Sequence, residues 1–434
     1  MRAVEILQKL ITYPTITPQE CGIYGYIADL LEGFEMVRFD KGEVKNVLFY
    51  KVVGGDVVRR AGSGGDSVEK GAEGQAQNQA RKQGENRVEG QGENQAGGQI
   101  ENQARADLAR LKDLPHLCFA GHVDVVPTGE GWREDPFCGS LRDGIVYGRG
   151  AQDMKAGVAG FVAALEGLGG IMEYVGADSK ARLVSVLLTS DEEGVGIDGT
   201  RHVLEELEKI GLLPDFAIVA EPTSSEVFGD MIKIGRRGSI NGILQILGKQ
   251  GHVAYPEKCV NPVEILGERL GALAGHLLDE GDGDFAPSKL VITDIRGGIE
   301  AVNVTPQALK IMFNVRNNTL TTKEDIQSYV SGVLEGVEHT LELKQSSYPF
   351  KTPASGWLAQ NLSSSIHEIA GIRPTFSTSG GTSDARFFAR YGVEVAEFGV
   401  KNDKIHSVDE SVEAWEVEKL ALVFSDILER FLRS

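Results

Sequence analysis

Positive charge is scarce in this chain: 44 Lys and Arg stand against 63 Asp and Glu, for a net charge of −19. Neutralising a phosphate backbone takes clustered Lys and Arg, so the charge balance argues against a nucleic-acid-binding surface. Cysteine is scarce as well. Cys21, Cys118, Cys138 and Cys259 are scattered over 434 positions with no C-x-x-C pair, a pattern that reads as reduced thiols in a cytoplasmic protein. No long apolar run occurs near the start, where MRAVEILQKLITYPTITPQE sets apolar side chains at helical spacing among acidic ones; it reads as neither a signal peptide nor a membrane span. What the chain does have is length and apolar content, since 434 residues at 41% hydrophobic and 25% charged can bury the cores of two domains.

Taken in order, residues 5–12 and 22–33 have helical periodicity, with a turn around Pro14–Pro18, and Asn46–Val53 reads as a strand. The composition then shifts to Gly, Gln, Asn, Glu, Ala and Arg, with a loose recurrence in GENRVEG, GENQAGG and IENQARA. Such a stretch buries too little apolar surface to offset its ordering entropy, so residues 54–113 are expected to hold a disordered low-complexity insertion, at the tip of a hairpin between Val47–Val53 and Leu117–Ala120. From Leu117 to about Arg236, apolar runs of strand length alternate with helical patterns, which predicts an α/β fold on a mainly parallel sheet. Residues 238–344 change texture and predict an inserted α+β domain, leaving 1–237 and 345–434 as the first domain.

The stretch Leu117–Asp153 carries the first chemical signal. An apolar run delivers His122 and Asp124 two residues apart, on one face of an extended segment, as a ligand and its orienter. Asp153 then arrives just before an Ala/Gly-rich segment of helical character. Asp191-Glu192-Glu193, Glu221 and His406 each follow another apolar run of strand length, so all of these groups are expected along one edge of a sheet. Imidazole nitrogens and carboxylate oxygens are donors that zinc accepts.

The motifs GHVDVVPTG, GRGAQDMKAG, TSDEEG, AEPTS, GRRGS, GHVAYP, SGGTSDARFF and KIHSVDE, in that order, resemble the M20 family of di-zinc amidohydrolases and peptidases. The resemblance implies an aminopeptidase-like catalytic domain and a ferredoxin-like lid and dimerisation domain. It further implies two zinc ions per subunit, with cobalt or manganese able to substitute at one site. By the same resemblance Asp153 bridges the ions, with a cis peptide to Met154; His122 and Glu221 complete one site, and Glu193 and His406 the other. Glu192 is the implied general base, Asp124 the orienter of His122, and His252 an oxyanion donor contributed across a homodimer. Arg237, Ser239, Tyr255, Asn303, Arg316, Gly381 and Thr382 match positions used for substrate. The implied reaction is hydrolysis of a small N-succinyl amino acid. Deacylation of acetylornithine or carboxypeptidase action is the alternative, and a non-catalytic scaffold a remote one.

Overall fold

The structure, a computed structural model, describes residues 2–55, 105–175 and 180–434. They pack as two units: Met1–Gly229 with Asn361–Ile372 and Gly399–Ser434, and Asp230–Gln360 with Arg373–Phe398. In the first unit, helix α1 (Arg2–Ile11) buries Val4, Leu7 and Ile11 along one stripe, and is followed by α2 (Ile23–Leu30). Strands β1 (Glu35–Arg38), β2 (Asn46–Val53) and β3 (His116–His122) precede a small hairpin of β4 (Ser140–Arg142) and β5 (Ile145–Tyr147). Helices α3 (Lys155–Glu166) and α4 (Leu168–Val175), strand β6 (Arg182–Thr189), helix α5 (Thr200–Lys209) and strand β7 (Phe216–Val219) complete the alternation.

The strands of this unit lie in the order β1-β2-β6-β3-β7, with β3 parallel to both β6 and β7 and with β1 and β2 antiparallel to their neighbours. Every residue of β3 and β6 is buried, as expected of strands covered on both faces. The hairpin expected between Val47–Val53 and Leu117–Ala120 does not form, because β6 pairs with both and sits between β2 and β3. A fully buried strand satisfies its backbone groups only from such an interior position. The disorder expected for the insertion falls largely outside the described residues. Its downstream end belongs to the fold, since residues 105–109 are helical, Leu108 is buried and Arg105 pairs with Glu206 at 2.7 Å.

The second unit begins with β8 (Met231–Lys233) and β9 (Gly235–Arg236). Next come β10 (Ser239–Leu247), α6 (Pro262–Leu273), β11 (Leu290–Gly297), β12 (Ala308–Val315), α7 (Lys323–Val333) and β13 (His339–Ser347). These six elements form an antiparallel sheet in the order β11-β12-β10-β13, the split βαβ arrangement of a ferredoxin-like unit. Ile240, Leu244 and Ile246 alternate inward to meet Leu266 of α6 and Ile326 of α7 in one core. The helices start at side-chain caps, Asn261 accepting from Val263 N and Thr322 forming a capping box with Asp325. Strand β14 (Phe350–Lys351) pairs with β9, and β15 (Thr375–Ser377) runs parallel to β8; α8 (Ala385–Arg390) and β16 (Glu394–Glu397) close the unit.

The chain finishes in the first unit with β17 (Ser411–Glu413), paired to β5, and α9 (Ala414–Arg433). Helix α3 is buried along nearly its whole length between the sheet and α9, and its sequence KAGVAGFVAALE supplies the small residues that this takes. Phe119 of β3 meets Phe161 of α3 and Phe424 of α9, with ring centroids 5.8 and 5.3 Å away. No helix among the described residues is long and apolar enough to cross a membrane. A methyl group on Gly157 would lie 2.1 Å from the Ala220 carbonyl oxygen, whereas one on Gly25 in α2 would meet nothing within 4 Å. Gly157→Ala is therefore expected to destabilise the chain by about 1–3 kcal/mol, and Gly25→Ala to stabilise it by about 0.5–1 kcal/mol. Urea unfolding of the two variants checks this; equal midpoints would refute the close contact of α3 with the end of β7.

Candidate metal centre

Because β3, β6 and β7 are parallel, their carboxyl ends share one edge, and each hands a donor to it. His122 is the last residue of β3, Glu192 and Glu193 lie in the turn after β6, and Glu221 follows β7. Asp153 sits in the turn before α3, and His406 in the loop before β17. The two oxygens of Asp153 face different imidazoles: Oδ1 lies 3.2 Å from His122 Nε2, and Oδ2 lies 3.5 Å from His406 Nε2. Glu193 Oε1 is 2.9 Å from His406 Nε2, while Glu192 Oε2 and Glu221 Oε1 lie 3.9 and 4.0 Å from His122 Nε2. The donors group as His122, Asp153 and Glu221; as Asp153, Glu193 and His406; and as His122, Glu192 and Glu193, each set within 4.8 Å. The Asp153–Met154 peptide is cis.

Asp124 works differently from the sequence expectation. Its main-chain carbonyl, not its carboxylate, is the close acceptor for His122 Nδ1, at 2.9 Å; the nearer carboxylate oxygen is 3.6 Å away. The strand ends at His122, so the alternation that would align the two side chains stops there and the Asp124 carbonyl turns to the ring. An Nδ1–H donated to this carbonyl leaves Nε2 facing the carboxylates. The Asp124 carboxylate instead accepts from Thr17 Oγ1 at 2.8 Å, Glu193 N at 3.1 Å and Glu192 N at 3.4 Å, which holds the turn carrying both glutamates. Thr17 was not read from the sequence, where no motif or periodicity connects it to Asp124.

The histidines and carboxylates hold one another charged. Hydrogen bonds to Asp153 and Glu193 push the His406 imidazolium up to about 10 against the pull of burial. Burial acts to lower His122, but the Asp153 hydrogen bond and the charges of Glu192, Asp124 and Glu221 outweigh it and hold it well above its ordinary value. Asp153, which burial would raise, is held well below the usual carboxylate range by its bonds to both histidines. Burial pushes Asp124 up to about 6. Two imidazoles and several converging carboxylates are donors that suit a divalent metal ion, and Asp153 turns its two oxygens to different histidines. The residues present fit a bound metal.

The remaining residues singled out by sequence lie in the second unit. His252 and Asn303 are exposed on adjacent segments, joined by a bridge between His252 and Val304 and by a bond from Val253 N to Asn303 O at 3.2 Å; the Tyr255 ring is 6.0 Å from that of His252. Arg237 and Arg316 are close enough for the charge of Arg237, after burial, to lower Arg316, and Arg237 Nε is buried with no hydrogen-bond partner among the described residues. Ser239 Oγ accepts from Asn314 Nδ2 at 2.9 Å. Gly381 and Thr382 lie in a loop whose Ser379 carbonyl accepts from Arg236, itself paired with the buried Glu397.

A mainly parallel sheet with His, Asp and Glu donors at its carboxyl edge defines the chain as an α/β protein with a candidate metal centre at a sheet edge. It belongs to peptidase family M20/M25/M40, whose model matches residues 118–430. It is 48% identical to the succinyl-diaminopimelate desuccinylase of Wolinella succinogenes over 98% of each chain. It is 47% identical to that of Helicobacter hepaticus, over 99% of this chain and 98% of the relative. Among solved structures it resembles aminopeptidase PepT of Bacillus cereus, with a TM-score of 0.70 at 18% identity over 99% of this chain and 98% of that one. It also resembles YXEP of Bacillus subtilis, described as a dinuclear metal binding peptidase from the M20 family, with a TM-score of 0.63 at 13% identity over 99% and 98%. Replacing the bridging candidate, Asp153→Ala, is expected to remove most of the Zn2+ that the chain retains after dialysis. Elemental analysis of the folded variant decides it, and undiminished metal would take Asp153 out of the centre.

Proposed function

We propose that the chain hydrolyses the amide of N-succinyl-LL-2,6-diaminopimelate to succinate and LL-2,6-diaminopimelate, in the cytoplasm, using two zinc ions per subunit. The observation that carries the reading is Asp153, with one oxygen toward His122 and the other toward His406. Relatives 43–48% identical over nearly the whole chain carry the desuccinylase name and support the substrate. His122, Glu221 and Asp153 would hold one ion, and Glu193, His406 and Asp153 the other, with cobalt or manganese able to replace zinc at one position. Held there, such ions would supply Lewis acidity for the scissile carbonyl and for the attacking water.

Glu192 is the general base. Its amide is tethered to Asp124, and its carboxylate stands at the group without being needed in either three-donor set around Asp153. It takes the proton from water as the oxygen adds to the amide carbon, and returns it to nitrogen as the carbon–nitrogen bond breaks. Asp124 orients His122 through its carbonyl and fixes the Glu192–Glu193 turn through its carboxylate. His252, on a domain spanning 238–344 that acts as lid and dimer interface, donates a hydrogen bond to the developing oxyanion across the homodimer. Arg237 and Arg316 form a doubly cationic seat for a substrate carboxylate. Ser239 keeps its O–H to donate while its oxygen serves Asn314. Tyr255, Asn303, Gly381 and Thr382 complete the substrate contacts.

Offered N-succinyl-LL-diaminopimelate and N-acetylornithine in parallel, the zinc-loaded chain is expected to release amine from the succinyl compound with strong preference. Preference for the acetyl compound, which also carries a carboxylate, would overturn the succinyl specificity and leave the hydrolytic centre. Glu192→Gln is expected to keep its zinc and lose about 10²- to 10⁴-fold in turnover, the usual weight of a general base. Turnover equal to that of the unaltered chain removes Glu192 from this role.

A further inference from the structure

The loop that carries His406 has little regular structure, and His406 and Asp409 both adopt left-handed backbone conformations, with φ of 59° and 57°. Asp153 likewise sits in a turn. Two irregular segments therefore have to present one carboxylate and one imidazole to each other at 3.5 Å. What joins them is a buried ion pair, Arg149 with Glu410, whose side chains are 2% and 1% exposed and 2.8 Å apart.

Each partner of the pair reaches into the other's segment. Glu410, from the His406 loop, accepts backbone N–H groups of the Asp153 turn: Gly150 at 3.0 Å, Gln152 at 2.8 Å and Asp153 itself at 3.1 Å. Arg149, from the Asp153 turn, donates to the Ser407 carbonyl at 3.2 Å, to the His406 carbonyl at 3.5 Å and to Thr128 beyond β3 at 3.2 Å. Gln152 adds a second clamp, donating to Asp403 Oδ1 and accepting from Lys404 N, both at 2.8 Å. Burying two charges is costly unless their remaining hydrogen-bonding capacity is filled, and a well-packed apolar pair is often as stable. An apolar pair would lack the convergent bonds to the backbone of one metal-ligand candidate and to the carbonyl of the other.

We infer that Arg149 and Glu410 are positioning residues that set Asp153 against His406 and so define the half of the metal centre that those two share with Glu193. The inference rests on the metal reading above, but neither residue belongs to the donor set. Co2+ is the probe, titrated into the full chain with its visible absorption recorded. Glu410→Gln and Arg149→Lys are expected to weaken the Co2+ equivalent held by Asp153, Glu193 and His406 about 10- to 100-fold and to alter its absorption band, and to weaken the other less, because its His122 and Glu221 are fixed by β3 and β7. Turnover should fall by a similar factor at unchanged KM. A merely structural pair would lower the melting temperature and leave the Co2+ affinities and spectrum as they were, and that result overturns the inference. Should Glu410→Gln fail to fold, Gln152→Met keeps the ion pair and removes only the clamp to Asp403 and Lys404. A smaller weakening of the same Co2+ equivalent is then expected, and two unchanged equivalents count against the inference. An unaltered chain that takes up no Co2+ overturns the metal reading and this inference together, which separates the two failures.

Discussion

The Asp153 carboxylate between His122 and His406 is the contact on which the rest of this molecule turns. Asp124, Asp153, Glu192, Glu193 and Glu221 gather at one sheet edge, most of them with little exposure. Like charges brought this close in a poorly solvated place repel strongly, and burial disfavours each of them separately. The two histidines answer part of this by holding protons well beyond their ordinary range. A divalent cation, which these donors fit, would answer more of it. The electrostatic problem and the catalytic equipment are one set of atoms, as strongly perturbed groups in functional sites generally are.

Geometry reaches that edge through backbone topology. Parallel strands finish together, so successive chain segments can each contribute one side chain without special folding. The close fit of α3 keeps the Asp153 turn near the sheet: its Gly157 leaves room for the carbonyl of Ala220, the residue immediately before Glu221. A glycine chosen for packing thus controls the separation between the turn that holds one candidate ligand and the strand end that holds another. The ion pair of Arg149 and Glu410 does for the irregular side of the site what strand pairing does for the regular side.

The sequence made the regular side readable. Apolar runs of strand length, closely followed by His or Glu, pointed to His122, Glu193 and Glu221, and His406 on the irregular side follows its run at a greater distance; the structure groups all four with Asp153. The inserted α+β domain was equally visible from the change of texture after residue 238, while its ferredoxin-like form came only from the family resemblance. What the pattern missed is long-range. It made neighbours of β2 and β3 because they adjoin the insertion, whereas β6, arriving later in the chain, takes the place between them. It assigned the orientation of His122 to the Asp124 carboxylate because it took the strand to continue past His122. Thr17, Arg149 and Glu410 act on partners more than a hundred residues away, and a hydrogen bond of that kind leaves no periodic trace.

The candidate metal donors and the two arginines proposed for the substrate belong to different units. All the donors of the candidate centre belong to the first unit, and Arg237 and Arg316 to the second. Structures sharing this fold at TM-scores of 0.63–0.70 but only 13–18% identity bear the names of an aminopeptidase, a metallo-carboxypeptidase and a dinuclear metal binding peptidase. The shared architecture therefore does not choose the substrate; a few side chains grafted on it do. Two arginines drawn together, one with a buried guanidinium nitrogen that bonds to nothing among the described residues, are a standing cost that a bound anion would reduce. A substrate bearing several carboxylates, as proposed, has more than one anion to offer such a pair, so selectivity would turn on where the arginines stand relative to the scissile amide rather than on charge alone.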